Sequence, residues 1–106
     1  MRDETLRDSL VSELRDRLRE LMPVTALIWS GSRPVGHDDE WSDYDFVVVS
    51  PQFEGVPFLD RADRLEPLRQ RGVSYDFLCY TPEEFDYMSN RITIVREAVR
   101  TGIRLV

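Results

Sequence analysis

The chain contains no lysine: all fourteen of its basic residues are arginines. Schiff-base chemistry, a lysine general base and a P-loop lysine are therefore excluded. Cysteine is almost as scarce. Cys79 stands alone, which rules out an internal disulfide framework and a cysteine-based zinc cage. His37 is the only histidine, so no histidine-rich metal site exists, and a lone imidazole in a charged loop usually lacks an orienting partner. Long apolar runs are missing too; Phe46 to Val49 is far too short to span a bilayer, and no membrane partner is expected. Positive charge is also in deficit. Fourteen basic residues against twenty acidic give −6, a poor footprint for a nucleic-acid binder. Met1-Arg2-Asp3-Glu4 opens on alternating charge with no apolar h-region, so no signal peptide is expected and the cytoplasm is the default compartment.

What is present fits one domain over residues 1–106. An apolar fraction of 42% with 32% charged residues reads as globular, not disordered. Leu6, Leu10, Leu14 and Leu18 recur every fourth residue and predict a helix over 4–21, stopped by Pro23. Val24 to Trp29 reads as a buried strand, and Asp43 to Ser50 as a second strand closed by Pro51. Phe58, Ala62, Leu65 and Leu68 have helical spacing over 58–71, with Pro67 marking a kink or restart and Gly72 a C′ residue. Val73 to Tyr80 is a third strand. Thr81-Pro82-Glu83-Glu84 then joins an N-cap threonine, an N1 proline and a capping-box glutamate. A last helix is expected over 91–101 with Ile92, Val95 and Val99 on one face; Gly102 ends it, and residues 103–106 can add a short edge strand. The fold class is α/β or α+β, a small sheet covered by helices.

The chemistry concentrates in Trp29-Ser30-Gly31-Ser32-Arg33 through Ser42-Asp43-Tyr44-Asp45. Asp43 and Asp45 lie two apart at the start of a predicted strand, so both carboxylates project from one face with α-carbons roughly 6.5 Å apart. Alone, such a pair reads as solvated. Like charges so placed repel unless a cation sits between them, and hard oxygen ligands suit Mg²⁺ or Mn²⁺. Gly31-Ser32 follows a buried strand, where free backbone N–H groups gather a phosphate, and Arg33 offers a fixed bidentate cation. Asp76, amid apolar residues of the third strand, is expected to be buried; if that strand neighbours the second, it approaches the Asp43/Asp45 pair. Three carboxylates beside a phosphate-binding turn suggest two-metal phosphoryl or nucleotidyl transfer, with Asp76 also able to take the proton of the attacking hydroxyl.

Gly31-Ser32, ten residues, then Asp43-x-Asp45 and an apolar strand resembles the signature of the DNA polymerase β-type nucleotidyltransferase superfamily. The fuller stretch Gly31-Ser32-Arg33-x-x-Gly36 with Ser42-Asp43-x-Asp45-Phe46-x-Val48 is similar to its minimal nucleotidyltransferases. Asp76, the turn at Tyr80 to Phe85 and the Arg96-Glu97-Ala98…Gly102 ending extend the likeness over most of the chain. The sequence departs at Pro34-Val35, and Asp38-Asp39-Glu40 places negative charge beside the expected phosphate site. The resemblance implies a mixed sheet with helices, two Mg²⁺ ions (or Mn²⁺) on Asp43, Asp45 and Asp76, and ATP as donor held by Gly31, Ser32 and Arg33. It implies transfer of AMP to a hydroxyl. It also implies an antitoxin role, because many minimal members pair with an all-helical HEPN-type toxin and some adenylylate it on tyrosine. Larger members close the nucleotide cleft with a second, helical domain for which these 106 residues leave no room; a dimer mate, a partner protein or the acceptor is expected to complete it. An alternative stays open: a binding module of the same fold that neutralises its partner by contact alone.

Overall fold

The computed structural model describes residues 9–30, 44–91 and 93–106. Within them, helix α1 (Ser9–Leu21) buries Val11, Leu14 and Leu18, the expected stripe with Val11 taking part. Leu6 and the rest of the first predicted turn lie outside the described residues. Strands β1 (Ala26–Ser30), β2 (Tyr44–Val49), β3 (Tyr75–Tyr80) and β4 (Ile103–Arg104) form one mixed sheet in the order β3-β2-β1-β4. β1 runs antiparallel to both β2 and β4, whereas β2 and β3 are parallel. Four helices accompany the sheet among the described residues: α1, the short α2 (Phe58–Arg61), α3 (Pro82–Ser89) and α4 (Ile94–Thr101).

The period of two sorts the strands cleanly. Leu27, Trp29, Tyr44, Phe46, Val48, Tyr75, Phe77 and Cys79 share a core with α1, Phe53, Leu65 and Leu68. Aromatic rings tile this face, with Trp29–Tyr44 centroids at 6.0 Å and Phe46–Phe77 at 5.9 Å. The other face places Ala26, Ile28, Val47, Val49 and Tyr80 against Val95 and Ala98 of α4. Helices and loops cover both sides of β1 and β2, so these strands read as nearly continuous apolar runs. Cys79 is a core filler: burial pushes its thiol up to about 12.

Three expectations need correction. The helix predicted over 58–71 is α-helical only from Phe58 to Arg61; Ala62–Leu68 winds as a 3-10 helix containing Pro67. Proline has no N–H for an α-helical bond, and tertiary packing tightens the segment five residues ahead of it. Its buried face is also different. Phe58 is 44% exposed while Arg61 is 6% exposed. On α4, Val95 and Ala98 take the core positions and Val99 is exposed; Ile92 lies outside the described residues.

Arg61 is buried because it closes the end of the sheet where β2 and β3 finish. Its Nε donates to Val56 O at 2.8 Å, its Nη1 to Cys79 O at 3.1 Å, and both Nη groups pair with the Glu84 carboxylate. Glu84 in turn accepts from the Thr81 backbone N–H at 2.9 Å, while Thr81 Oγ1 accepts from Glu84 N at 3.2 Å, completing the predicted capping box. The Arg61 hydrogen bond holds the Glu84 carboxyl below its ordinary value.

Two glycines carry the turns for different reasons. Gly72 has φ 80°, the left-handed region expected of a C′ residue. Gly102 has an ordinary φ of −84°, yet a Cβ there would lie 2.6 Å from Ala98 O, 2.8 Å from Trp29 O and 2.8 Å from Ile28 Cγ2. Close approach of α4 to β1, not backbone conformation, requires this glycine.

Candidate active site

Sheet register brings two of the three predicted carboxylates together. Asp45 is opposite Asp76 across the parallel β2–β3 pair, and Ser30 is opposite Asp45 across β1–β2. Adjacent strands place paired α-carbons roughly 5 Å apart, within reach of a shared ion. By strand parity all three residues lie on the face that carries Ile28 and Val47, at the end where β1 finishes and β2 and β3 begin. The next row along that face is Ile28, Val47 and Leu78, so apolar surface adjoins the carboxylates directly.

A cavity of about 300 Å³ opens at this place. Ser30, Asp45 and Asp76 form one wall, Val47, Leu78 and Ala98 the floor, and Glu97 and Thr101 of α4 the opposite rim. Asp76 is exposed to this space, which corrects the expectation of a buried carboxylate. β3 is an edge strand and α4 stops short of covering its first residues, so the Asp76 side chain escapes the desolvation its apolar neighbours suggest. Ser30 Oγ makes a long 3.5 Å contact with Asp45 O.

Asp43, Gly31, Ser32 and Arg33 lie outside the described residues, as do His37, the Asp38-Asp39-Glu40 run and Trp41. The chain leaves β1 at Ser30 directly into Gly31, and enters β2 at Tyr44 directly from Asp43. Among the described residues, no three His, Cys, Asp or Glu side chains are gathered to hold a metal ion. Nor is any described helix long and apolar enough to cross a membrane.

Sequence reasoning missed Glu97 and Thr101. They are one helical turn apart on α4, and nothing local shows that α4 crosses β1 at Gly102 and turns this stripe toward the Asp45–Asp76 row. Trp29 follows its expected packing role at 5% exposed.

The nucleotidyltransferase domain model matches residues 11–100. In structure, the chain is similar to a Sulfolobus solfataricus protein assigned to the nucleotidyltransferases and solved at 1.40 Å resolution. The two share 19% identity with a TM-score of 0.53 over 81% of this chain and 82% of the other, a likeness of fold. No curated protein sequence matches the chain. With 90 consecutive positions matched by the model and the mixed sheet in place, the chain belongs to the nucleotidyltransferase domain family.

Proposed function

We propose that this chain moves AMP from ATP onto a hydroxyl acceptor with the help of divalent metal, using Asp43, Asp45 and Asp76 as metal ligands and Gly31, Ser32 and Arg33 as the triphosphate grip. The observation that carries the reading is the in-register pairing of Asp45 with Asp76 at the mouth of a cavity. Like charges directly opposite on neighbouring strands weaken a sheet, so the pairing makes sense where a cation sits between them.

The residues fit Mg²⁺ or Mn²⁺. Every donor they offer is a hard carboxylate oxygen, and Asp45 and Asp76 line a cavity of about 300 Å³ with room for phosphate. Bound there, the ions would neutralise charge on the phosphates and so offset the −6 of the protein. The chain's own residues supply position and proton handling. The acceptor oxygen forms a bond to the α-phosphorus as the bond from that phosphorus to the bridging oxygen breaks. Pyrophosphate leaves with the electron pair, and the hydroxyl proton passes to the Asp76 carboxylate. Exposure of Asp76 suits this role, since the acceptor must reach it from outside.

The acceptor in this reading is a side-chain hydroxyl of a partner protein, an HEPN-like toxin, with a homodimer mate as the other means of completing the cleft. The cavity supports it, because among the described residues only α4 stands opposite the strand ends that carry Asp45 and Asp76. Calorimetry of Mg²⁺-dependent ATP binding, with Asp43→Asn/Asp45→Asn alongside, tests the site. Binding by the wild type and its loss in the variant are expected; equal binding by both contradicts the assignment. Tyrosine adenylylation of a co-purifying partner, abolished by Asp43→Asn, tests the acceptor. Neutralisation of that partner unchanged by Asp43→Asn points instead to a contact-only module.

A further inference from the structure

The cavity rim on α4 has a chemical bias that the metal and triphosphate leave unused. Thr101 Oγ1 donates its proton to Glu97 O at 2.9 Å, so toward the cavity it offers only lone pairs. The Glu97 carboxylate accepts from Arg100 Nη1 through Oε2 at 3.1 Å, and Oε1 takes no hydrogen bond from the described residues. Asp45 and Asp76 present carboxylate oxygens as well. The rim is therefore made of acceptors, and no arginine is among the described residues lining the cavity. Among the described lining residues this end offers a triphosphate acceptors and no donor. That lining favours an uncharged or cationic group that brings hydrogen-bond donors.

Below the rim, Val47, Leu78 and Ala98 make an apolar floor one strand row, roughly 6.5 Å, from the Asp45–Asp76 pair. A flat ring tethered through a sugar to a phosphate held at those carboxylates would rest on that floor with its edge toward α4. We infer that the α4 rim reads the nucleobase of the bound nucleotide, with Glu97 accepting from the exocyclic amino group of adenine or cytosine and so favouring these over guanine and uracil, which carry a carbonyl at that position. Uracil carries a carbonyl where cytosine carries its amino group, and an oxygen facing a carboxylate loses a hydrogen bond and gains repulsion. Glu97 is here a specificity residue; it takes no part in the transfer itself. The inference rests on the nucleotidyl-transfer reading of the cavity.

The test is calorimetric titration of the full chain with MgATP, MgGTP, MgCTP, MgUTP and magnesium tripolyphosphate, repeated for Glu97→Ala and Glu97→Gln. The wild type is expected to bind MgATP and MgCTP roughly tenfold more tightly than MgGTP and MgUTP. Glu97→Ala should collapse that ratio toward one. Glu97→Gln adds a donor and should raise MgUTP relative to MgATP, a change that lost packing would not produce. Tripolyphosphate has no base and reports the metal–phosphate site separately. Binding of all four nucleotides and of tripolyphosphate with a flat base ranking overturns the inference alone, as does a ranking unchanged in Glu97→Ala. No binding of any of the five, with Mn²⁺ in place of Mg²⁺ as well, overturns the nucleotide reading beneath it and the inference with it.

Discussion

At one end of the sheet, where β2 and β3 finish at Val49 and Tyr80, polar and charged groups close the structure. Arg61 reaches two backbone carbonyls and Glu84, and Glu84 also caps α3 through Thr81. Ser50 adds to this end, donating to Pro23 O at 2.6 Å and accepting from Gln52 N at 3.1 Å. At the opposite end Asp45 faces Asp76 across adjacent strands with a cavity beside them. At the first end a positive and a negative charge pair; at the second, two carboxylate residues stand in register on neighbouring strands. Arg61, Glu84 and Thr81 hold the fold together, whereas Asp45 and Asp76 are the residues proposed to hold a ligand.

Substitutions can break that contrast from either side. The largest effect is expected at the open end. Asp45→Asn should reduce transfer of label from α-labelled ATP by at least about a hundredfold, as removal of a charge-stabilising group does in other active sites. Transfer within a few fold of wild type would remove Asp45 from the site. At the closed end, Arg61→Ala strands Glu84 and the Cys79 and Val56 carbonyls. Full burial of both charges would cost 3–5 kcal/mol; with the Glu84 side chain 43% exposed, a loss of about 2–3 kcal/mol is expected from urea unfolding. ATP binding should change little beyond what the unfolded fraction accounts for.

Gly102→Ala sharpens the comparison, since Gly102 joins the α4 rim to β1. Its Cβ would meet backbone oxygens of Ala98 and Trp29, which cannot swing aside, and a loss of about 2 kcal/mol in urea unfolding is expected. Because α4 must shift, base ranking should also blur. A smaller effect, about 1 kcal/mol, is expected of Glu84→Gln, and it should depend on pH. The folded Glu84 carboxyl is held below its ordinary 4.5 by the Arg61 hydrogen bond. Its charge therefore stabilises the fold above that pH, and the contribution disappears as pH falls through the lower, folded value. Wild type and variant should differ most near neutrality and converge in acid; a constant gap from pH 7 to pH 3 would contradict the charge assignment.

How much of this could be read beforehand follows from where each signal resides. Thr81, Pro82 and Glu84 specify a helix start by themselves, and the capping box formed as expected. Val47 to Val49 and Leu27 to Trp29 are apolar on both faces because the strands are central, which the sequence shows directly. Asp45 and Asp76 were identifiable as candidates, and sheet order then made them neighbours. Arg61 was not legible as a core residue. Its partners lie at Val56, Cys79 and Glu84, so only the assembled fold shows why a charge is buried inside a helical pattern that marked Phe58 instead. Glu97 and Thr101 escaped for the same reason, since they reach the cavity through the crossing of α4 over β1 at Gly102.

Asp76→Asn decides whether the open-end carboxylates serve a ligand, as proposed, or the fold. Asp76 is exposed, so the variant should fold. Urea unfolding without metal and MgATP calorimetry should be measured on the same preparation. Stability equal to wild type or higher by a few tenths of a kcal/mol, from relief of like-charge pairing, is expected together with loss of Mg²⁺-dependent ATP binding. A variant destabilised by about 2 kcal/mol that still binds MgATP as wild type does would show Asp76 to be structural and not a ligand-holding residue.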